Sequence, residues 1–131
     1  MNSIIVKNSV VRNIHALRNN MVGKNREIGA LVCGNIHEDH VTFSRSTTLM
    51  SNKFSLNSFW FNEREFPSIQ KRRCDPNQEI VALIHTHPNG SSEPSQVDKN
   101  TSENLGLIGC SIGAFDMTCY IGDKVIERIN I

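Results

Sequence analysis

The stretch Ile80-Val81-Ala82-Leu83-Ile84-His85-Thr86-His87-Pro88-Asn89-Gly90-Ser91-Ser92-Glu93-Pro94-Ser95-Gln96-Val97-Asp98 decides the fold. Residues 80–87 read as a strand, apolar until its end, and 88–94 as a loop punctuated by two prolines and a glycine. Ser95–Leu105 then reads as a helix, stopped by Gly106. Side chains two apart on a strand point to one side, so His85 and His87 face a common point. Ser95 and Asp98, three apart at a helix start, also share a face. A helix folded back over the strand end would bring two imidazoles and a carboxylate together. Two His and one Asp leave a zinc ion one open position, as a hydrolytic site needs, because the metal brings the pKa of bound water to about 7. Ser95-x-x-Asp98 also reads as a capping box with Asp in place of Glu or Gln, and His-x-His at a strand end also occurs as exposed polar surface. Four specified residues at fixed offsets favour the metal; Asp98 can serve both as ligand and as anion at the helix start.

The pattern continues outward in both directions. Ile4-Ile5-Val6 marks an opening strand. Val10, Ile14, Leu17 and Met21 then trace one helix face, with Asn8 or Ser9 as N-cap and Gly23 beyond the end. Residues 27–33 form a compact apolar strand, and Gly34-Asn35 is the expected hairpin turn after it. Val41–Phe43 and Ser46–Met50 carry further strand signal, while 54–73 is ambiguous because Pro67 interrupts it. Leu107–Ser111, Met117–Ile121 and Lys124–Ile129 close the chain as strands, the last two joined by Gly122-Asp123. Helices interleaved with buried strands imply a layered α/β domain.

At 131 residues the chain has room for one core, and residues 1–131 read as a single domain. Fourteen Lys+Arg against thirteen Asp+Glu give a net charge of +1, which disfavours nucleic acid as the main partner. No apolar run approaches the ~20 residues of a membrane span, and none at the N-terminus suits a signal peptide, so the expected compartment is the cytosol. Cys33, Cys74, Cys110 and Cys119 show no C-x-x-C spacing. Cys33, Cys110 and Cys119, in apolar surroundings, are expected to be buried reduced thiols and Cys74 to be exposed, with a disulfide among the four as the open alternative.

Hydrolysis at a metal needs a proton acceptor. Glu38 falls in the polar run His37-Glu38-Asp39-His40, read as a solvated turn. Glu79 starts the histidine strand, about 20 Å of extended chain from His85. Glu93 is in the loop and could approach. Glu27 opens an otherwise apolar strand, as a fraying-end charge or as a positioned base.

With these residues in hand, the sequence resembles a JAB/JAMM (MPN-domain) zinc metallopeptidase. The family pattern E-x-G-G-x-x-x-G, then H-S/T-H-P, then P-S-x-x-D is met by Glu27-Ile28-Gly29-Ala30-Leu31-Val32-Cys33-Gly34, His85-Thr86-His87-Pro88 and Pro94-Ser95-Gln96-Val97-Asp98. Ala30 replaces a second glycine, a mild departure that leaves every reacting group in place. Non-catalytic MPN scaffolds typically lack the metal ligands, and all are present here. The resemblance implies a cytidine-deaminase-like α/β fold, a curved mixed sheet flanked by helices. It implies that His85, His87 and Asp98 hold Zn²⁺ with water in the fourth position, that Glu27 is the general base, and that the Ser95 hydroxyl stabilises the oxyanion. The bond cut would be an isopeptide at the C-terminus of a ubiquitin-like protein.

Only 33 residues follow Asp98 here and three expected strands fill most of them, so the resemblance implies no second insertion of the kind that linkage-specific deubiquitinases carry, and the chain resembles a minimal prokaryotic or phage-type member. Such members occur beside ubiquitin-like, E1-like and E2-like proteins, in sulfur-carrier pathways and in antiphage systems. The alternatives are trimming of a ubiquitin-like or sulfur-carrier precursor and, from another class, a RadC-like or partner-binding module. Phe54, Phe59, Trp60, Phe61 and Phe66 crowd five of eight aromatics into thirteen positions. They read either as core or as the wall of a groove that holds an extended substrate tail. Lys71-Arg72-Arg73 reads as a solvated basic turn.

Overall fold

The computed structural model describes residues 3–21, 28–49 and 63–131. In chain order the elements are β1 (Ser3–Val6), α1 (Asn8–Met21), β2 (Gly29–Ile36), β3 (His40–Leu49), a 3₁₀ turn (Glu63–Glu65), α2 (Phe66–Arg73), β4 (Glu79–Thr86), α3 (Gln96–Leu105), β5 (Ile108–Ile112), β6 (Met117–Ile121) and β7 (Lys124–Ile129). The strands form one mixed sheet in the order β1-β3-β2-β4-β5-β6-β7. The pairs β1/β3 and β4/β5 are parallel and the others antiparallel. Helix α3 is the crossover that the parallel pair β4/β5 requires. The sheet curls until its edges approach: the Ile4 N–H in β1 donates to the Glu127 carboxylate of β7 at 3.1 Å.

Helix α1 covers one face. Its Val10, Ile14, Leu17 and Met21 are buried, and the first three join Ala30, Val32, Ala82, Ile84, Cys110, Ile112, Met117 and Cys119 in the main core. On the opposite face Leu31, Ile80 and Leu83 meet Phe66 and Ile69 of α2 and Leu105 and Leu107 near the end of α3. A bulge sets the phase between the faces. Val32 pairs with Ala82 but Cys33 pairs with Ile80, so Val81 is the extra residue. Beyond it the alternation resumes with Leu83 and His85 on the α3 side.

Several local expectations are corrected. Gly34-Asn35 is not the turn: β2 runs on to Ile36, and the turn is 37–39, closed by the His37 N–H donating to the His40 carbonyl at 2.8 Å. Gly34 is glycine because β3 passes so close that a Cβ would lie 1.8 Å from the Thr42 carbonyl oxygen. Asn8 and Ser9 do not precede α1 as caps. Asn8 is already helical, the Lys7 carbonyl accepts from Val10 and Val11, and the Ser9 hydroxyl donates to the Ser44 carbonyl. Pro67 sits in the first turn of α2, where its missing N–H costs nothing. Lys71, Arg72 and Arg73 form the last turn of that helix, their charge suited to its carbonyl end.

Cys33 is not a thiol. It forms a disulfide with Cys74, the residue that ends α2, across a sequence separation of 41. Spacing could not show this, because the curl of the sheet and the docking of α2 bring the two together. Cys74 is half-buried rather than exposed. Cys110 and Cys119 are buried free thiols on facing strands, and burial pushes the Cys110 thiol pKa up. Among the described residues no helix is long and apolar enough to cross a membrane.

Candidate metal centre

The end of β4 and the start of α3 meet as the spacing predicts. His85 Nε2 and His87 Nε2 are 3.0 Å apart, and the Asp98 Oδ2 lies 3.2 Å from the first and 3.1 Å from the second. All three side chains are buried. Metal–ligand bonds of 2.0–2.1 Å in a tetrahedron put neighbouring donor atoms about 3.3–3.4 Å apart. The observed triangle is within a few tenths of an ångström of that edge, so the donor set fits one small divalent ion. Among the described residues this is the group of metal-ligating side chains that converges. His37 and His40 stack in the β2–β3 turn, where Asp39 binds His40, and form no such triad.

Neighbouring groups orient each donor. His87 Nδ1 is 3.0 Å from the Ser91 carbonyl oxygen. A carbonyl can only accept, so Nδ1 carries the proton, and in the neutral ring the Nε2 lone pair points at the centre. The Ser95 N–H donates to Asp98 Oδ2 at 2.9 Å, and the Asp98 N–H donates to the Ser95 hydroxyl oxygen at 3.1 Å. The capping box and the metal reading are therefore the same object: one carboxylate oxygen caps α3 and faces both imidazoles. Burial would raise the Asp98 pKa, but the close contacts with the His85 and His87 rings and the hydrogen bond from the Ser95 N–H overturn this and hold the carboxyl well below the ordinary carboxylate range.

The sequence matches the family described as prokaryotic homologs of the JAB domain over residues 7–124. This chain belongs to that family. Its fold is similar to the solution structure of protein DSY2949 from Desulfitobacterium hafniense, with a TM-score of 0.66 and 18% identity over 98% of this chain and 90% of that one. No curated protein matches the chain.

In this JAB-domain chain the second strand is tied to the candidate metal ligands through Thr86, the residue between the two histidines. The Thr86 N–H donates to the Ile28 carbonyl at 2.9 Å, and the Thr86 hydroxyl accepts from the Ile28 N–H at 2.9 Å. A regular antiparallel pair would use the Thr86 carbonyl for the second bond. The side-chain oxygen takes its place, and the ladder ends there. Glu27, the residue before Ile28, lies outside the described residues, as do Phe54, Phe59, Trp60 and Phe61. Phe66 is described and packs at the core beneath α2.

The other carboxylates fall away from the centre. Glu79 is exposed at the far end of β4 and Glu38 is exposed in its turn. Glu93 is turned to Arg128, which it binds at 2.5 Å, and that hydrogen bond lowers its pKa. Ser95 is exposed at the mouth of the site.

Sequence reasoning missed the floor of the site. Tyr120 is buried on β6 and, with His85, Asp98, Leu83, Ser102 and Gly109, lines a recess under α3. Its ring lies over Gly109 of the neighbouring strand, where a Cβ would be 2.4 Å from the ring. Burial and the nearby Asp98 charge push the phenol pKa far above its ordinary value. Ser111, the register partner of His85, is buried beside it. A signal existed in principle: a glycine inside a strand marks a close approach. Only the β5/β6 register shows that Tyr120 is what approaches.

Proposed function

We propose that this JAB-domain chain is a zinc-dependent peptidase that cuts the isopeptide bond between the C-terminus of a ubiquitin-like protein and a target lysine. The observation that carries the reading is the convergence of His85, His87 and Asp98 within the ordered pattern that begins at Glu27. These three residues would hold the zinc, which when bound supplies Lewis acidity and lowers the pKa of water. His87 enters with its tautomer set by Ser91. The Ser95 hydroxyl oxygen accepts from the Asp98 amide, which leaves its own proton free to donate to a developing oxyanion at the site mouth. Glu27 would take a proton from the attacking water and pass it to the departing amine nitrogen. The partners of this reading are a ubiquitin-like protein or its conjugate and the E1-like and E2-like proteins that make it.

Glu27→Gln tests it. The variant keeps size and hydrogen bonding but cannot accept the proton, so cleavage of a ubiquitin-like conjugate should fall by at least about 10²-fold with zinc content unchanged. Wild-type protein that contains no zinc by elemental analysis and takes none up on addition sinks the reading. Cleavage of a precursor extension but not of a lysine conjugate moves it to precursor trimming. Binding of partners without hydrolysis moves it to a binding module. The reading places the chain in the cytosol, where disulfides are rare. Non-reducing mass spectrometry of rapidly quenched cells shows whether Cys33–Cys74 is closed there.

A further inference from the structure

Arg128 of β7 is not among the residues that converge on the candidate metal centre, yet its contacts lead there. One guanidinium nitrogen, Nη1, reaches two groups at once: the Glu93 carboxylate at 2.5 Å and the Thr118 hydroxyl at 3.1 Å. The Thr118 hydroxyl is in turn 3.0 Å from the Ser92 hydroxyl. Thr118 and Ser92 are buried. Ser92 and Glu93 are neighbours in loop 88–95, which joins the histidine strand to α3. An exposed arginine–carboxylate pair by itself contributes little. Here a second hydrogen bond, to a hydroxyl with no exposed surface, fixes where the guanidinium sits.

The direction of this chain of hydrogen bonds is forced. A guanidinium only donates, so Thr118 Oγ1 accepts from Arg128. The single hydroxyl proton of Thr118 then goes to Ser92 Oγ. Strand β7 therefore holds the loop at two successive residues, Ser92 through its hydroxyl and Glu93 through its carboxylate. Immediately before them is Ser91, whose carbonyl accepts from His87 Nδ1 at 3.0 Å and so sets which ring nitrogen faces the centre. Local bonds tie the loop together: the Glu93 N–H donates to Ser91 Oγ at 3.1 Å, and the Ser91 N–H donates to Asn89 Oδ1 at 3.0 Å. Gly113 lies so close to this backbone that a Cβ would be 2.7 Å from the Ser92 nitrogen. A carbonyl can orient a ligand imidazole only while the peptide that carries it is itself held.

We propose that Arg128 is a positioning residue for the metal centre: through Glu93, and through Thr118 and Ser92, it holds the Ser91 carbonyl against His87 and so tunes the affinity for zinc. The proposal rests on reading His85, His87 and Asp98 as a zinc site, and the test lets the two fail separately. Zinc affinity of the full chain is measured by competition with a chromophoric chelator. Arg128→Ala should raise the Kd by about tenfold or more, the usual cost of losing a partner that orients a ligand histidine. Thr118→Val keeps the side-chain shape, removes the hydroxyl and should also raise the Kd. Thr118→Ser keeps the hydroxyl and should bind zinc as wild type does. Because the two residues act in one chain, the double variant of Arg128→Ala and Thr118→Val should be within about twofold of Arg128→Ala alone. Arg45→Ala, which breaks the exposed pair with Asp75, is the control and should leave the Kd unchanged. If wild type takes up no zinc, the zinc-site reading fails and this proposal with it. If wild type binds zinc and either Arg128→Ala or Thr118→Val binds it equally well, or if the two losses multiply, the positioning role alone is overturned. It is also overturned if the loss of affinity only matches a loss of folded metal-free protein, read by circular dichroism, since the network would then serve stability.

Discussion

Helices α1 and α3 lie on opposite faces of the same sheet and are held by opposite chemistry. Helix α1 buries Val10, Ile14, Leu17 and Met21, whereas the residues α3 buries are Asp98 and Ser102. Asp98 faces two histidines, and the Ser102 hydroxyl donates to the Leu107 carbonyl at 2.6 Å. Apolar burial is non-directional and stabilising, and it carries the fold. Buried polar groups cost free energy unless every partner is in place, so they persist where function needs them. The alternation of β4, reset by the bulge at Val81, makes this division possible: Ala82 and Ile84 face α1, Leu83 and His85 face α3.

The sharpest way to break this comparison is to remove a buried polar residue of the candidate metal centre. Asp98→Ala should abolish zinc binding, because an open three-ligand site cannot spare a ligand. Elemental analysis after dialysis checks it, and retention of one zinc per chain would overturn the assignment. Ser95→Ala should keep the metal and slow cleavage by about 10²–10³-fold, the usual cost of one oxyanion donor. An unchanged rate with a lower melting temperature would leave Ser95 as a cap alone.

On the other face the effect should appear in stability only. Leu17→Ala should cost about 2–5 kcal/mol by denaturant unfolding, with zinc stoichiometry untouched. On α3, Ser102→Ala removes the hydroxyl that donates to the Leu107 carbonyl and accepts from the Gly122 N–H, and should cost about 1–2 kcal/mol. Equal costs for the two would erase the contrast between the helices.

The smallest effect is in pH. The Asp98 carboxyl has a folded pKa below its unfolded value of about 3.9. Its contribution to the stability of the metal-free protein is therefore fully present above that value and is lost as pH falls toward the folded one. Asp98→Asn should flatten that part of the acid-unfolding curve.

Much of this was legible in one dimension because its causes are local. Residues 117–121 and 124–129 alternate or run apolar between turn residues, and both strands lie where that pattern puts them. Val10, Ile14, Leu17 and Met21 repeat at the helical period, and that face is the buried one. The convergence of His85, His87 and Asp98 was readable because two of them sit two apart on a strand and the third begins the next helix, so one short connection fixes their meeting.

What the sequence by itself determined was the described strands, helices α1 and α3 and the meeting of His85, His87 and Asp98, since periodicity and turn preferences act within a few residues, whereas α2 stayed ambiguous. Tertiary structure alone decided contacts between residues far apart in the chain. Gly34 looked like a turn residue and is instead a place where β3 leaves no room for a side chain. Cys33 looked like a buried thiol until α2 brought Cys74 to it. Glu93 looked free to reach the metal until β7 supplied Arg128. Gly109 gave no hint of Tyr120 until β5 paired with β6. In each case the deciding partner arrives through the curl and register of the sheet, which the whole core sets together and no local stretch encodes.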